Sequence, residues 1–135
     1  VNSLQDEIDF LKMNDQKRKK NIEHNFTILF DNTIVGGCGV KIDQHRPFIG
    51  EIGYFIDQEY WGKGIATQAV KKLESIAFEK LGIKRVQIIM DVRHTASEKV
   101  AIKAGYEKEG VMRKAIKDGR EDSYADVFLY AKIRE

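Results

Sequence analysis

The stretch Asp57-Gln58-Glu59-Tyr60-Trp61-Gly62-Lys63-Gly64-Ile65-Ala66-Thr67 decides how the chain is organised. Upstream of it apolar residues recur with period two, and downstream Ala66, Val70, Leu73 and Ala77 form one stripe at helical spacing. A strand therefore gives way to a helix through the polar and aromatic turn at residues 57–62. Gly62 and Gly64, two apart at that junction, let the main chain approach a ligand without intervening side chains. The first turn of the helix carries N–H groups with no partner inside the helix, and the helix dipole adds positive charge where they point. Such a start suits a diphosphate, with Lys63 as a mobile cation at its mouth. From spacing alone it suits equally a tight turn that holds nothing.

Just upstream, residues 52–56 read as a strand with Glu51 and Tyr54 near its ends. Before it, the polar residues 43–47 form a loop and residues 34–42 a strand. Phe26, Ile28 and Phe30 line one face of another strand, and Asp31-Asn32 turns the chain between the two as a hairpin. Residues 3 to about 20 read as a helix, with Leu4, Ile8 and Leu11 at helical spacing, Ser3 as cap, and Asp6 and Glu7 in the first turn. Lys17-Arg18-Lys19-Lys20 suits the C-terminal pole of that helix. Beyond the central helix, Gly82 stops it and residues 85–90 are apolar enough for a buried central strand. Residues 96–104 form a short helix ended by Gly105, and strands at about 107–116 and 124–133 flank the turn Lys117-Asp118-Gly119-Arg120. The order implies an α/β (α+β) fold, a mixed sheet with helices packed on it, as one domain over residues 1–135. The crossover between residues 52 and 90 should be parallel and right-handed, which sets residues 62–67 where a strand end meets a helix start.

Composition narrows the function further. A chain of 135 residues buries roughly two-thirds of its unfolded surface, enough for a core without staples. The single cysteine, Cys38, sits in an apolar run and reads as a small buried hydrophobe, which implies a reducing, cytoplasmic setting. No apolar run is long enough to span a bilayer and no charged-then-apolar leader is visible, so a soluble chain without a membrane partner is expected. Net charge is only +2 with the signs interspersed, which argues against nucleic acid as main partner. His24 and His45 lack cysteine or acidic partners at ligand spacing, so no metal site is expected.

The run Glu51-Ile52-Gly53-Tyr54-Phe55-Ile56-Asp57, followed by Glu59 to Thr67, resembles the acetyl-CoA signature of the GNAT superfamily. In particular it resembles the subfamily that includes ribosomal-protein N-terminal alanine acetyltransferases and spermidine acetyltransferases. The superfamily pattern is Gln or Arg, two residues, Gly, one residue, then Gly or Ala. Gly64 and Ala66 match it, and Trp61 stands at the Gln/Arg position. A second block, residues 93–106 continuing through Glu109, Gly110 and Arg113, is similar to the next strand-end, helix and Gly-aromatic segment of the family. The likeness extends over roughly residues 26–133. It implies a sheet splayed open between the strand ending at Asp57 and the strand ending at Met90, with pantetheine lying in the gap as an extra strand. Main-chain groups around Phe55 and Ile56 would pair with its amides. Amides of Trp61, Gly62, Lys63, Gly64, Ile65, Ala66 and Thr67 would hold the pyrophosphate, and His94 would take the place of an asparagine that bonds the pantetheine arm. Family members also begin with a strand and a helix ahead of the helix read at residues 3–20, and the chain does not supply them.

Acyl transfer from a thioester to an amine needs a neutral amine, a stabilised oxyanion and a proton for the departing thiolate. Glu51 is the candidate base and Ser97 the candidate group near the sulfur; each has a plain structural alternative, as an exposed strand-end charge and a first-turn helix residue. Ala101 stands where other superfamily members carry a tyrosine acid, and Ile116 where the ribosomal-protein enzymes carry a glutamate. Tyr124-Ala125-Asp126 matches a Tyr-x-Asp of the family and fits either a structural hydrogen bond or substrate contact. The reading is transfer of acetyl from acetyl-CoA to a primary amine, a protein N-terminus or a small amine, by direct attack in a ternary complex. Two rivals stand beside it: a catalytically weak acyl-CoA-binding module, and a Rossmann-type dinucleotide domain with Gly62-x-Gly64-x-x-Thr67 as a degraded fingerprint and Asp91 as its ribose acid. No residue pattern sets the oligomeric state; a homodimer is compatible with it.

Overall fold

The structure is a computed structural model that describes residues 8–13, 15–117, 119 and 122–134. Strand β1 (Ile8–Lys12) pairs antiparallel with β2 (Glu23–Phe30), which folds back into β3 (Thr33–Ile42). The helix expected over residues 3–20 is therefore corrected: residues 8–12 are a strand, and among the described residues of that span only α1 (Gln16–Lys19) is helical, a single turn capped by Asp15. Edge pairing explains the difference. Alternation at Ile8 and Phe10 competes with the helical spacing of Ile8 and Leu11, and joining the sheet buries Ile8 and sets the Phe10 ring 5.1 Å from that of Phe26. Ser3, Leu4, Asp6 and Glu7 lie outside the described residues. The basic run is tied down at Arg18, whose guanidinium donates to the carbonyls of Met13 and Asn25 and covers the Phe26 ring.

The hairpin between β2 and β3 turns at Asp31 and Asn32, both left-handed (φ 53° and 62°), the conformation a two-residue I′ turn demands. Strand β4 (Ile49–Ile56) pairs antiparallel with β3, a single 3₁₀ turn follows at Gln58–Tyr60, and α2 (Ile65–Glu79) crosses the sheet. Its apolar stripe, Ile65, Ala69, Val70, Leu73 and Ala77, is wholly buried against β4, β3 and β1. Burying each of the larger members stabilises the fold by about 2 kcal/mol. Gly82, at φ +69°, ends the helix and lets the Ile83 N–H reach the Ala77 carbonyl at 3.0 Å. Then come β5 (Arg85–Asp91), α3 (Thr95–Lys103), β6 (Glu107–Lys117) and β7 (Tyr124–Ile133).

Among the described residues these strands form one sheet in the order β1-β2-β3-β4-β5-β7-β6. Only β4 and β5 run parallel, and only over Ile49↔Arg85, Gly50↔Val86 and Glu51↔Gln87. Beyond Glu51, β4 stays with β3 and β5 with β7, so the sheet opens into the splay expected of the strands ending at Asp57 and Met90. A parallel series of strands, which a Rossmann domain needs, is absent from the described residues. The two sheet faces differ. One carries α2 and α3; the other pairs Glu23, Lys41 and Glu51 in one row, Asn25, Gly39 and Gly53 in the next, and Thr27, Gly37 and Phe55 in the third.

Close approach of β3 to β4 makes one glycine obligatory. A Cβ on Gly36 would collide with the Phe55 carbonyl oxygen and stand 3.1 Å from the Ile56 Cα, both main-chain atoms with no freedom to move aside. Gly36→Ala is expected to destabilise the protein by about 3 kcal/mol. In a thermal melt that corresponds to a fall of roughly 10 °C.

Candidate active site

Three elements converge at the open end of the seam: the far half of β4, the start of α2 and the loop from β5 into α3. At the start of α2, Gly62 and Gly64 both adopt left-handed conformations (φ 78° and 79°), and nothing lies within 4 Å of where their Cβ atoms would be. The glycines are thus required by backbone shape, and the space beside them is open. Gly64 is the N-cap and has no side chain to offer; the first intrahelical bond is Gln68 N–H to the Gly64 carbonyl at 3.1 Å. The N–H groups of Ile65, Ala66 and Thr67 precede that bond and project from the helix end toward the open side. Lys63 and Trp61 are exposed around them, whereas the Ile65 side chain is anchored in the core.

The facing of the β4 main chain follows from two bonds. Ile49 accepts from Asp43 and Asp57 donates to Val35, so odd-numbered peptide groups turn to β3 and those of Ile52, Tyr54 and Ile56 turn to the gap. Of the two residues expected to offer main-chain partners, Ile56 does face the gap, and its carbonyl accepts from the Trp61 indole N–H at 2.7 Å. The Phe55 main chain faces β3 instead, and its ring lies over Gly37 on the glycine-rich face. Tyr54 is the residue that alternation puts in its place.

Glu51 stands at the last paired position before the sheet opens. Gln87, its partner across the parallel seam, donates from Nε2 to Glu51 Oε1 at 3.2 Å. Glu51 lines a cavity of about 680 Å³ over the glycine-rich face, with Glu23, Asn25, Gly39, Gly53 and Phe55. Ser97 is half-buried in the first turn of α3 and, with His94, Arg93, Asp91 and Lys117, walls a second cavity of about 370 Å³. The loop holding them is rigid: Asp91 Oδ1 accepts from the Arg93 main-chain N–H and from its Nε, each at 2.9 Å. Arg93 holds the Asp91 carboxyl well below the usual carboxylate range, so Asp91 is a buried structural anion and not a free ribose acid. His94 is exposed at the N-cap of α3 and caps it with no side-chain bond.

Other positions singled out in the sequence have structural duties. Ala101 is fully buried, packed in the core. Asp126 Oδ1 accepts from the Lys114 N–H at 2.9 Å across an irregular stretch of the β6–β7 ladder, and Tyr124 is exposed. Burial pushes the Cys38 thiol up to about 12, which leaves it inert. No cluster of metal-ligating side chains occurs among the described residues, and none of their helices is long and apolar enough to cross a membrane.

Two further side chains belong to this region. Gln68, on the sheet-facing side of α2, is 3% exposed, yet neither atom of its carboxamide has a hydrogen-bond partner. The Tyr54 hydroxyl, on the helix side of β4, is buried too, and the Ser97 hydroxyl is the polar group that acts on it. Orphaned polar atoms like those of Gln68 are rare in folded proteins and call for a partner. Alternation about Ile52 and Ile56 was the available signal for Tyr54; for Gln68 it was a polar residue inside an apolar stripe.

Comparison with known proteins agrees with this geometry. The family described as acetyltransferase (GNAT) domain matches residues 1–107. The probable N-acetyltransferase YjcK of Bacillus subtilis is 42% identical over 105 residues, 76% of this chain and 58% of its own. The ribosomal-protein-serine acetyltransferase of Escherichia coli is 30% identical over 108 residues, covering 80% and 59%. The chain thus spans about three-fifths of the length of these curated relatives. Among solved structures, the ribosomal L7/L12 alpha-N-protein acetyltransferase RimL in complex with coenzyme A superposes with a TM-score of 0.77 at 27% identity, over 87% of this chain and 65% of that one. The microcin C7 self-immunity acetyltransferase MccE, in complex with acetyl-CoA and AMP, does so with a TM-score of 0.78 at 27% identity, over 87% and 64%.

Proposed function

The chain belongs to the acetyltransferase (GNAT) domain family, and from that premise we propose that it transfers an acetyl group from acetyl-CoA to a primary amine, a protein N-terminus or a small amine. One observation carries the reading: the uncapped amides of Ile65, Ala66 and Thr67 open beside two left-handed glycines, at the mouth of a gap whose β4 side has no strand partner. The residues fit the co-substrate. A pyrophosphate needs converging N–H donors without competing side chains, and pantetheine needs main-chain partners along a strand edge; Tyr54 and Ile56 supply the second as α2 supplies the first. Gln68 adds an orphaned carboxamide in the same region.

In this reading Glu51 accepts the proton of the incoming amine on the glycine-rich face, held in orientation by Gln87. Main-chain N–H groups of β4 that face the gap supply donors for the developing oxyanion. Ser97 contributes a hydroxyl on the opposite side. The likeness to relatives such as the ribosomal-protein-serine acetyltransferase supports an amine acceptor without selecting between protein and small molecule.

A thermal-shift series tests the proposal. Acetyl-CoA at a hundred times its Kd should stabilise the fold by about 2.7 kcal/mol, and NAD at the same concentration should leave the melt unchanged. Thiol release is then followed with peptides bearing free N-termini, polyamines and aminoglycosides. Stabilisation by NAD in preference to acetyl-CoA ends the reading.

A further inference from the structure

The base assigned above accounts for one proton of the reaction and leaves the other open. When the amine nitrogen bonds to the thioester carbon and the carbon–sulfur bond breaks, its electron pair goes to sulfur, and the thiolate needs a proton. Glu51 lies on the glycine-rich face and is committed to the amine. The second proton must come from elsewhere along the gap.

Three residues along the same strand, about 10 Å further toward the open end, Tyr54 projects to the other face. Its surroundings are unusual. The hydroxyl is buried on the helix side of β4, and the polar group that acts on it is the Ser97 hydroxyl. Across the gap it faces Ser97 in the first turn of α3, a residue of a different half of the sheet. Tyr54 packs its ring against the core beside Cys38, its neighbour on β3, so apolar contacts fix the ring and leave the hydroxyl turned to Ser97.

We propose that Tyr54 is the proton donor to the departing thiolate, and that Ser97 returns a proton to it from solvent; this rests on the acetyltransferase reading above. The step balances. The amine nitrogen gives a proton to Glu51, the Tyr54 O–H gives one to the sulfur of coenzyme A, and the phenolate recovers one through Ser97, which is half-buried in the wall of an open cavity. Glu51 loses its proton to solvent from the opposite face. Acid and base are thus separated by the strand itself: the amine arrives on one face and the thiol departs on the other. Burial pushes the Tyr54 hydroxyl above the ordinary phenol value and the Ser97 hydroxyl draws it part of the way back, so the group stays protonated at neutral pH and is available to give.

The experiment uses the whole chain. Acetyl-CoA binding is measured by calorimetry, and turnover against pH by thiol release with the acceptor that the amine panel identifies. Tyr54→Phe is expected to lower kcat roughly tenfold to a hundredfold, with acetyl-CoA Kd unchanged within about a factor of two. Difluorotyrosine incorporated at position 54, which preserves shape and makes the phenol more acidic, is expected to move the alkaline limb of kcat to lower pH. A limb that stays in place, or a folded Tyr54→Phe protein with undiminished kcat, overturns the role of Tyr54 and leaves the acetyltransferase reading intact. Should Tyr54→Phe fail to fold, the fluorinated protein decides alone. Failure of the unmodified chain to bind acetyl-CoA, or to turn over with any amine, sinks the underlying reading instead.

Discussion

Gly64→Val is expected to abolish useful acetyl-CoA binding while leaving a folded protein. Two effects act at this position. Gly64 has φ +79°, where a β-branched residue is strained by roughly 1–2 kcal/mol, a cost that a protein of this size survives. The valine branches would also project into the open space beside the first-turn amides, where no protein atom lies within 4 Å of the glycine's missing Cβ. Hydrogen bonds to a charged group contribute about 1.5–3 kcal/mol each, so blocking two of the three amides should weaken binding by about 10²–10⁴. Calorimetry with acetyl-CoA, alongside a thermal melt, separates the two effects. An unchanged Kd in the folded variant places the diphosphate elsewhere.

The second large effect is expected at Glu51. Glu51→Gln keeps the size of the side chain and its contact with Gln87 but removes the proton acceptor. The expected outcome is a loss in kcat of about 10²–10³, with acetyl-CoA affinity unchanged, because general base catalysis contributes on that scale and the cofactor's anionic end is held elsewhere. Raising the pH should recover part of the loss as more of the amine becomes neutral without help. A variant that retains full turnover at neutral pH identifies Glu51 as an exposed strand-end charge that happens to lie at the seam.

How much of this was legible in the sequence depends on which forces set each element. The Gly62-x-Gly64 junction was readable because turn chemistry, helix start and apolar stripe all lie within a few residues of one another. Asp31-Asn32 was readable for the same reason. Residues 8–12 were not, since Leu4, Ile8 and Leu11 satisfy a helix while Ile8 and Phe10 satisfy a strand, and the choice rests on β2 partners that run from Lys12↔Phe26 to Ile8↔Phe30, far along the chain. At the site, Glu51 could be named from the signature strand, but Gln87 could not: its pairing depends on the register of a parallel crossover, which no local pattern encodes. The motif points to Phe55, whereas alternation about Ile49 and Asp57 turns Tyr54 to the gap instead. The burial of the Tyr54 hydroxyl and the unsatisfied carboxamide of Gln68 are properties of packing alone.

Mechanically, the protein is two stiff plates, one of β1 to β4 and one of β5, β7 and β6, riveted along three residue pairs. The aperture between them is set at the rivet and not where the ligand would sit. Gly50 lies in that rivet, and a methyl group there would press within 2.9 Å of a Val40 side-chain carbon and close to Ile83. A single added carbon there therefore crowds the core directly beneath the seam, away from every residue that lines the opening.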